Sequence, residues 1–433
     1  MKKVAIIGGG LAGFHAAFSL QQAGGYDVTV YTNRTAQQLR TGRMLSMAAP
    51  FRWVHDRESS LGINFWEDVD ARAEGFDMHI KDPGGSGKDL FRLTGKFPDG
   101  LWALGVDYRL KFSTWMDEWE RRGGRLIVRD IAVADLENIA AASHPPLAVP
   151  GRGPLSDLFE KDGSRSTHHL PALPSAAIFM SGAQVSSRQP WSDVPFSPLR
   201  FDILPGVGDV FSWPFFTEAG ICRGFAFQST VPGGPFDAGR ERQTAASYLE
   251  FAKEVTQRLI PDNAFLYEGA TIPDEGAWLY GPTEPLVRKP VKQLANGAWI
   301  WGLGDTAMIQ DPYAGQSGNN AVRMTDRYVR HILDRGTAAY DPDWMQSVWD
   351  EHWTEYGQFA FRFCTLLQDT PNKALMTIQM AAARDPAVAQ AFVGWFGYPP
   401  SAWPYIEDEQ AARRFVAEHA SASPKAAVAG GAA

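Results

Sequence analysis

The stretch "VAIIGGGLAG", Val4 to Gly13, constrains the fold more than any other. A short apolar run enters three consecutive glycines and meets a fourth three residues later. Glycine loses more conformational freedom on folding than any other residue. A cluster of this kind therefore belongs where the backbone turns sharply or is approached closely. Val4 to Ile7 reads as a buried parallel strand, and Phe14 to Ala23 carries apolar residues at helical spacing. Between them Gly8, Gly10 and Gly13 match G-x-G-x-x-G. Gly8 permits the tight turn, Gly10 admits a pyrophosphate to the backbone, and Gly13 lets the helix lie against the strand. Leu11 and Ala12 complete the turn, and the free N–H groups of the helix start favour phosphate. A second strand, "DVTVY" (Asp27 to Tyr31), closes a βαβ unit. The acid expected to hold a ribose at its end is missing. Thr32, Asn33 and Arg34 stand there instead, and Asn33 retains the ability to bond a ribose hydroxyl. A dinucleotide-binding α/β domain with a loose hold on its oxidised cofactor is expected.

Composition narrows the partners. A length of 433 residues suits two or three domains, and the net charge of −8 comes with no lysine or arginine block. That argues against nucleic acid and anionic membrane. No window approaches eighteen apolar residues, and the four apolar residues before the glycines are too short for a signal core. Cys222 and Cys364 lack metal-ligand spacing, and the loop pair His168-His169 has no third ligand nearby, so no metal centre is expected. A reduced, cytoplasmic protein follows, with a disordered tail at 421–433. The 15 tryptophans and 26 phenylalanines exceed what a core of this size normally needs, which leaves aromatic surface for an apolar pocket.

A second signature lies three hundred residues on, in "IWGLGDTAMIQDPYAGQSGNNAVRM" (Ile300 to Met324). A strand ends at Gly304-Asp305, and a loop leads to a helix start. Asp305 is placed to accept a ribityl hydroxyl, and the N–H groups opening the helix suit negative charge on a flavin pyrimidine ring. Taken alone, "DPYAGQSGNN" is also satisfied by an ordinary Gly/Asn/Pro turn.

The two signatures together resemble the FAD-binding aromatic monooxygenases, whose motif is Gly-Asp, then Pro, then Gly-Gln-Gly-x-Asn. The resemblance implies that Asp305 meets the ribityl chain, that Pro312 lies by the isoalloxazine, and that Gly315, Gln316, Ser317, Gly318 and Asn319 loop around the flavin. Met308 and Ser317 depart from the pattern. "TGRMLSMAAPFRWVHDRESSLGINFWE", "VDYRLKFSTWMDEWERRGGRL" and "FGYPPSAWPYI" are in turn similar to the epoxidase component of two-component styrene and indole monooxygenases. That likeness implies a Rossmann-like FAD domain of the glutathione-reductase or aromatic-hydroxylase type. It would occupy 1–172 and 275–342, with an inserted, mostly antiparallel β-sheet substrate domain at 173–274 and a helical region at 343–420. Arg43 would contact the adenosine side and Arg109 would be a second contact, although either could be a surface or bracing residue.

Single-component flavin hydroxylases carry a mid-chain Asp-Gly fingerprint, and the corresponding stretch here, "LAVPGRGPLSD", has none. Gly151 suits a nucleotide-side turn, but no second dinucleotide fold is evident. FADH2 would therefore come from a separate NADH-dependent flavin reductase that binds transiently. Reduced flavin with O2 forms a C4a-(hydro)peroxyflavin, which would epoxidise or hydroxylate a small apolar aromatic or oxidise a sulfide. His79, with Phe76 beside it, matches a histidine near the flavin, though a lone histidine among apolar residues also suits a structural role. Ser46, Ala48 and Pro50 occupy pocket positions where styrene epoxidases carry Asn and His, so the natural substrate could be neither styrene nor indole. A flavin oxidase or dehydrogenase, and a non-catalytic flavin binder, stay open as alternatives. A homodimer stays open as the assembly.

Overall fold

The computed structural model describes residues 1–143, 146–172, 174–239, 241–369 and 371–421. The tail beyond residue 421 lies outside the described residues. The first sheet holds five parallel strands in the order Trp299–Gly302, Leu147–Ala148, Lys2–Ile7, Tyr26–Thr32, Arg125–Val128, with Val291–Gln293 antiparallel on one edge. Strand Lys2–Ile7 is buried from Val4 onward, as a central parallel strand covered on both faces must be. Helix Leu11–Ala23 is buried from Leu11 to Leu20 and apolar on nearly every side. It lies among the sheet, helix Tyr108–Arg121 and helix Gln316–Arg335. Phe14 meets Trp115 and Phe18 meets Trp119, both edge-on, and none of the four is more than 1% exposed. Burying each phenylalanine contributes about 1.5–3 kcal/mol.

The second sheet has nine strands and is mostly antiparallel. Its main path runs Trp278–Pro282, Pro174–Met180, Gly220–Ser229, Gly208–Thr217, Pro198–Leu204, Gly75–Lys81, Asp89–Lys96. Two pairings are parallel: Pro198–Leu204 with Gly75–Lys81, and Ala103–Val106 with Gly208–Thr217. The sheet therefore draws strands from before and after 173–274, because period-2 alternation shows that a strand forms but not which sheet receives it.

Alternation gives the sheet two unlike faces. Val210, Phe225 and Phe227 pack against helix Ala245–Leu259. Phe76, Met78, Leu199, Phe201 and Phe211 point the other way, into a cluster shared with the C-terminal helices through Phe363, Phe392 and Phe396. Those helices are Pro342–His352, Gln358–Gln368, Lys373–Ala382, Pro386–Gly394 and Glu409–His419, and the first two are joined by a single π-helical turn. Among the described residues no helix is long and apolar enough to cross a membrane.

Candidate functional site

The glycine turn is built as a cradle. Gly8 sits at φ +126°, and a Cβ on Gly13 would overlap the Gly8 carbonyl oxygen, so helix and strand touch backbone to backbone. Gly10 has nothing within 4 Å of where its Cβ would be. It is also the N-cap of helix Leu11–Ala23 and supplies no side-chain cap, so the first N–H groups are left for a ligand. Thr32 is 3.2 Å from a Cβ built on Gly9, and Asn33 and Arg34 are exposed at the strand end.

Two more loops converge here. Gly304, at φ +61°, has Ala12 3.1 Å from its would-be Cβ, and Gly151 has the Asp305 Cβ at 2.8 Å. Side chains at either glycine would push these loops apart. Gly318, in the first turn of helix Gln316–Arg335, lies against Leu11, and the Ser317 hydroxyl donates to the Asp305 carboxylate over 3.3 Å. Two helix starts thus face one groove with Asp305 between them. The close glycine contacts and uncapped N–H groups fit a dinucleotide lying along this groove.

The loop before helix Gln316–Arg335 is fastened at each residue. Asp311 accepts from the Tyr313 N–H at 2.8 Å, and burial pushes its carboxyl up to about 6. Gly315 takes φ +63°. The Gln316 amide donates to the carbonyls of Ala314 and Phe396. Asn319 accepts from the Phe51 N–H at 3.0 Å and donates to the Gly315 carbonyl at 3.1 Å. Gln316 and Asn319 therefore shape the loop and tie it to Phe51 and Phe396, which both line the cavity beside it.

That cavity has a volume of about 420 Å³. At one end stand Arg152, Asp305, Pro312, Gly315 and Ser317. At the other are Phe76, Leu199, Phe201, Phe211, Trp213 and Phe396. The rings brace one another: Phe76 stacks on Phe201 at 4.8 Å, and Phe201 meets Phe211 edge-on at 4.9 Å. Segment 45–51 forms a side wall with Ser46 in it.

Five of the residues singled out in the sequence sit elsewhere or act differently. His79 points to the opposite face of the sheet from Phe76, because neighbours on a strand alternate. Its ring nitrogens lie 2.8 Å from Asp89 and 2.9 Å from Asp77, inside a buried network with Lys81, Arg92, Arg200 and Asp202. Arg109 spends every N–H on Asp107, Asp274 and the Gly42 carbonyl. Burial alone would lower its pKa, but the two carboxylates outweigh that and raise it. It braces the helix start rather than a cofactor. Arg43 is exposed and stacks on the Trp278 ring at 3.6 Å. Ala48 packs on the core of the first domain, and the Pro50 ring lies near Gly318, its carbonyl accepting from Leu104.

Sequence reasoning missed Arg152, Tyr313, Trp213 and Phe396. The first two adjoin motif residues, which was the available signal. Phe396 opens the quoted segment "FGYPPSAWPYI", and Trp213 reaches the cavity only through tertiary packing. Among the described residues no group of three or more potential ligands could hold a metal ion.

Known proteins share this fold and parts of this sequence. Residues 151–264 match the family model described as "Styrene monooxygenase A putative substrate binding domain". The styrene monooxygenase StyA of Pseudomonas fluorescens is 26% identical over 93% of this chain and 94% of its own. Among solved structures, a flavoprotein/dehydrogenase from Cytophaga hutchinsonii superposes with a TM-score of 0.64 at 12% identity, over 96% of this chain and 100% of that one. A variant of the halogenase PltM in complex with FAD gives 0.62 at 14% identity, over 96% and 95%. With the glycine cradle, Asp305 and the aromatic cavity in place, these likenesses support a flavin-dependent monooxygenase similar to the styrene monooxygenases.

Proposed function

We propose that this chain is the oxygenase of a two-component system. It takes FADH2 from a separate NADH-dependent flavin reductase in the cytoplasm and transfers one atom of O2 to a small apolar aromatic or a sulfide. The observation that carries this is a single cavity joining the Asp305–Ser317 end to a chamber walled by six apolar side chains. Reduced flavin, when bound, supplies the electrons that activate O2.

The chain's own residues do the rest. Gly10, Leu11 and Ala12 offer N–H groups to the phosphates, and Asp305 accepts from the ribityl chain. The N–H groups of Ser317 and Gly318 favour negative charge on the ring. Phe76, Phe201 and Phe211 exclude water and hold the substrate ring by shape and dispersion. No nucleophile or metal is needed in this scheme. Supply of reduced flavin in trans is supported by the likeness of segments 41–67 and 106–126 to the two-component enzymes.

The test is product formation under ¹⁸O₂ with FAD, NADH and a purified flavin reductase, using indole, styrene and thioanisole. The expected product carries one ¹⁸O and forms only with the reductase present. Substrate oxidation without the reductase would point to an oxidase or dehydrogenase. Peroxide with no product from any substrate would point to a flavin binder.

A further inference from the structure

The aromatic chamber is lined by two polar side chains that the scheme above does not use, Tyr313 and Gln228, and Asp209 is hydrogen-bonded to the first. Asp209 lies on strand Gly208–Thr217, two residues before Phe211 and on the same face. It is only 5% exposed and, among the described residues, forms no ion pair. Its partner is the Tyr313 hydroxyl, and burial pushes the carboxyl up to about 7. The Tyr313 ring lines the cavity and meets Phe211 edge-on at 5.2 Å. Gln228, directly across the ladder from Asp209, lines the same cavity. A buried carboxyl without a cation is expensive, and a leucine there would pack at no such cost.

We propose that Asp209, Tyr313 and Gln228 form a recognition subsite that accepts a hydrogen bond from a ring N–H or O–H of the aromatic substrate. The subsite rests on the reading that the chamber receives an aromatic molecule. With its carboxyl ionised, Asp209 accepts the Tyr313 hydroxyl proton, which leaves the tyrosine oxygen free to accept from the ligand. With its carboxyl neutral, Asp209 donates to Tyr313 instead, and the tyrosine hydroxyl turns donor. The pair thus favours donor-bearing rings above neutrality and loses that preference below it. The titratable groups around the pair are Tyr313 itself and, behind it, Asp311, which holds the Tyr313 N–H.

Indole and indene have nearly the same shape and differ by an N–H against a CH2, so their relative binding reads the subsite without turnover. Titrations would use the full chain loaded with oxidised FAD and follow binding calorimetrically at pH 6 and pH 8. At pH 8 indole is expected to bind about tenfold tighter than indene, the worth of one good hydrogen bond. At pH 6 the ratio falls. Tyr313→Phe keeps the ring contact with Phe211 and brings the pH 8 ratio near one. Asp209→Asn leaves a ratio that no longer changes with pH. Equal binding of the pair by the unaltered protein, or a preference that survives Tyr313→Phe, overturns the subsite. Selective binding without oxygenated product overturns the monooxygenase reading alone, and product without selectivity overturns the subsite alone.

Discussion

At the scale of single residues, position relative to the cavity separates function from support. Asp305 faces the cavity at the meeting of three loops, whereas His79 is enclosed by carboxylates on the far side of the sheet. Asp305→Ala is expected to weaken FAD binding by more than about tenfold, followed by flavin fluorescence titration, with little loss of thermal stability. His79→Gln is expected to do the reverse. It removes the link between Asp77 and Asp89, which keep Arg92, Arg200 and Lys81 as partners, costs about 1–3 kcal/mol in denaturant unfolding, and leaves FAD affinity unchanged.

Asp209 gives a second residue-level prediction, with a definite sign. Its folded pKa lies above its unfolded value, so it stabilises the fold fully below the unfolded pKa and loses that contribution as pH rises through about 7. Relative to the unaltered chain, Asp209→Asn is expected to be more stable at pH 8 by up to about 4 kcal/mol. The gain should shrink towards pH 5 in parallel calorimetric scans. No gain at pH 8 would mean that the carboxyl is better solvated than its burial implies.

At the scale of elements, the site depends on how segments are fastened to one another. Asn319, in the first turn of helix Gln316–Arg335, bonds both the loop behind it and the wall segment that ends at Phe51. Asn319→Ala is expected to cost about 1–3 kcal/mol and to raise the dissociation constants of both FAD and aromatic ligand, since it frees two walls of one cavity. Thermal unfolding and ligand titration on the same variant separate the two effects. A stability loss with both affinities intact would show that the wall is held by packing alone.

At the scale of the molecule, the C-terminal helices are locked to the nucleotide-binding half by a buried histidine. His352, fully buried at the end of its helix, lies 3.0 Å from the Asn320 side-chain oxygen, so Nε2 carries the proton in this pair. Burial, then Arg327 and Arg323, lower its pKa to about 3. A folded value below the unfolded one contributes stability above about 6.5, and that contribution is lost as pH falls towards 3. Glu58 adds to this at lower pH. Burial would raise its pKa, but Lys111 outweighs that and holds it well down, with both groups fully buried. Denaturant midpoints are expected to decline from about pH 6.5 downward, and His352→Gln should flatten the slope between pH 6.5 and 4. An unchanged slope would assign the acid limb to the carboxylates.

The cradle and the loop were legible before any folding was considered. Gly8, Gly10, Gly13, Asp305 and Pro312 are local chemistry, since backbone conformation, helix start and strand end are set within a few residues. Those signals survive any tertiary arrangement. The aromatic end was not legible in the same way. Whether Phe76 or His79 meets the cavity depends on which face of the sheet is covered by helices more than two hundred and fifty residues later, and alternation is the same for either answer. Likewise Arg109 became a brace because Asp107 and Asp274, 167 positions apart (274 − 107), close on it in space. Short-range geometry is written residue by residue. The side on which a strand is buried, and the partner a charge finds, follow only from packing the whole chain.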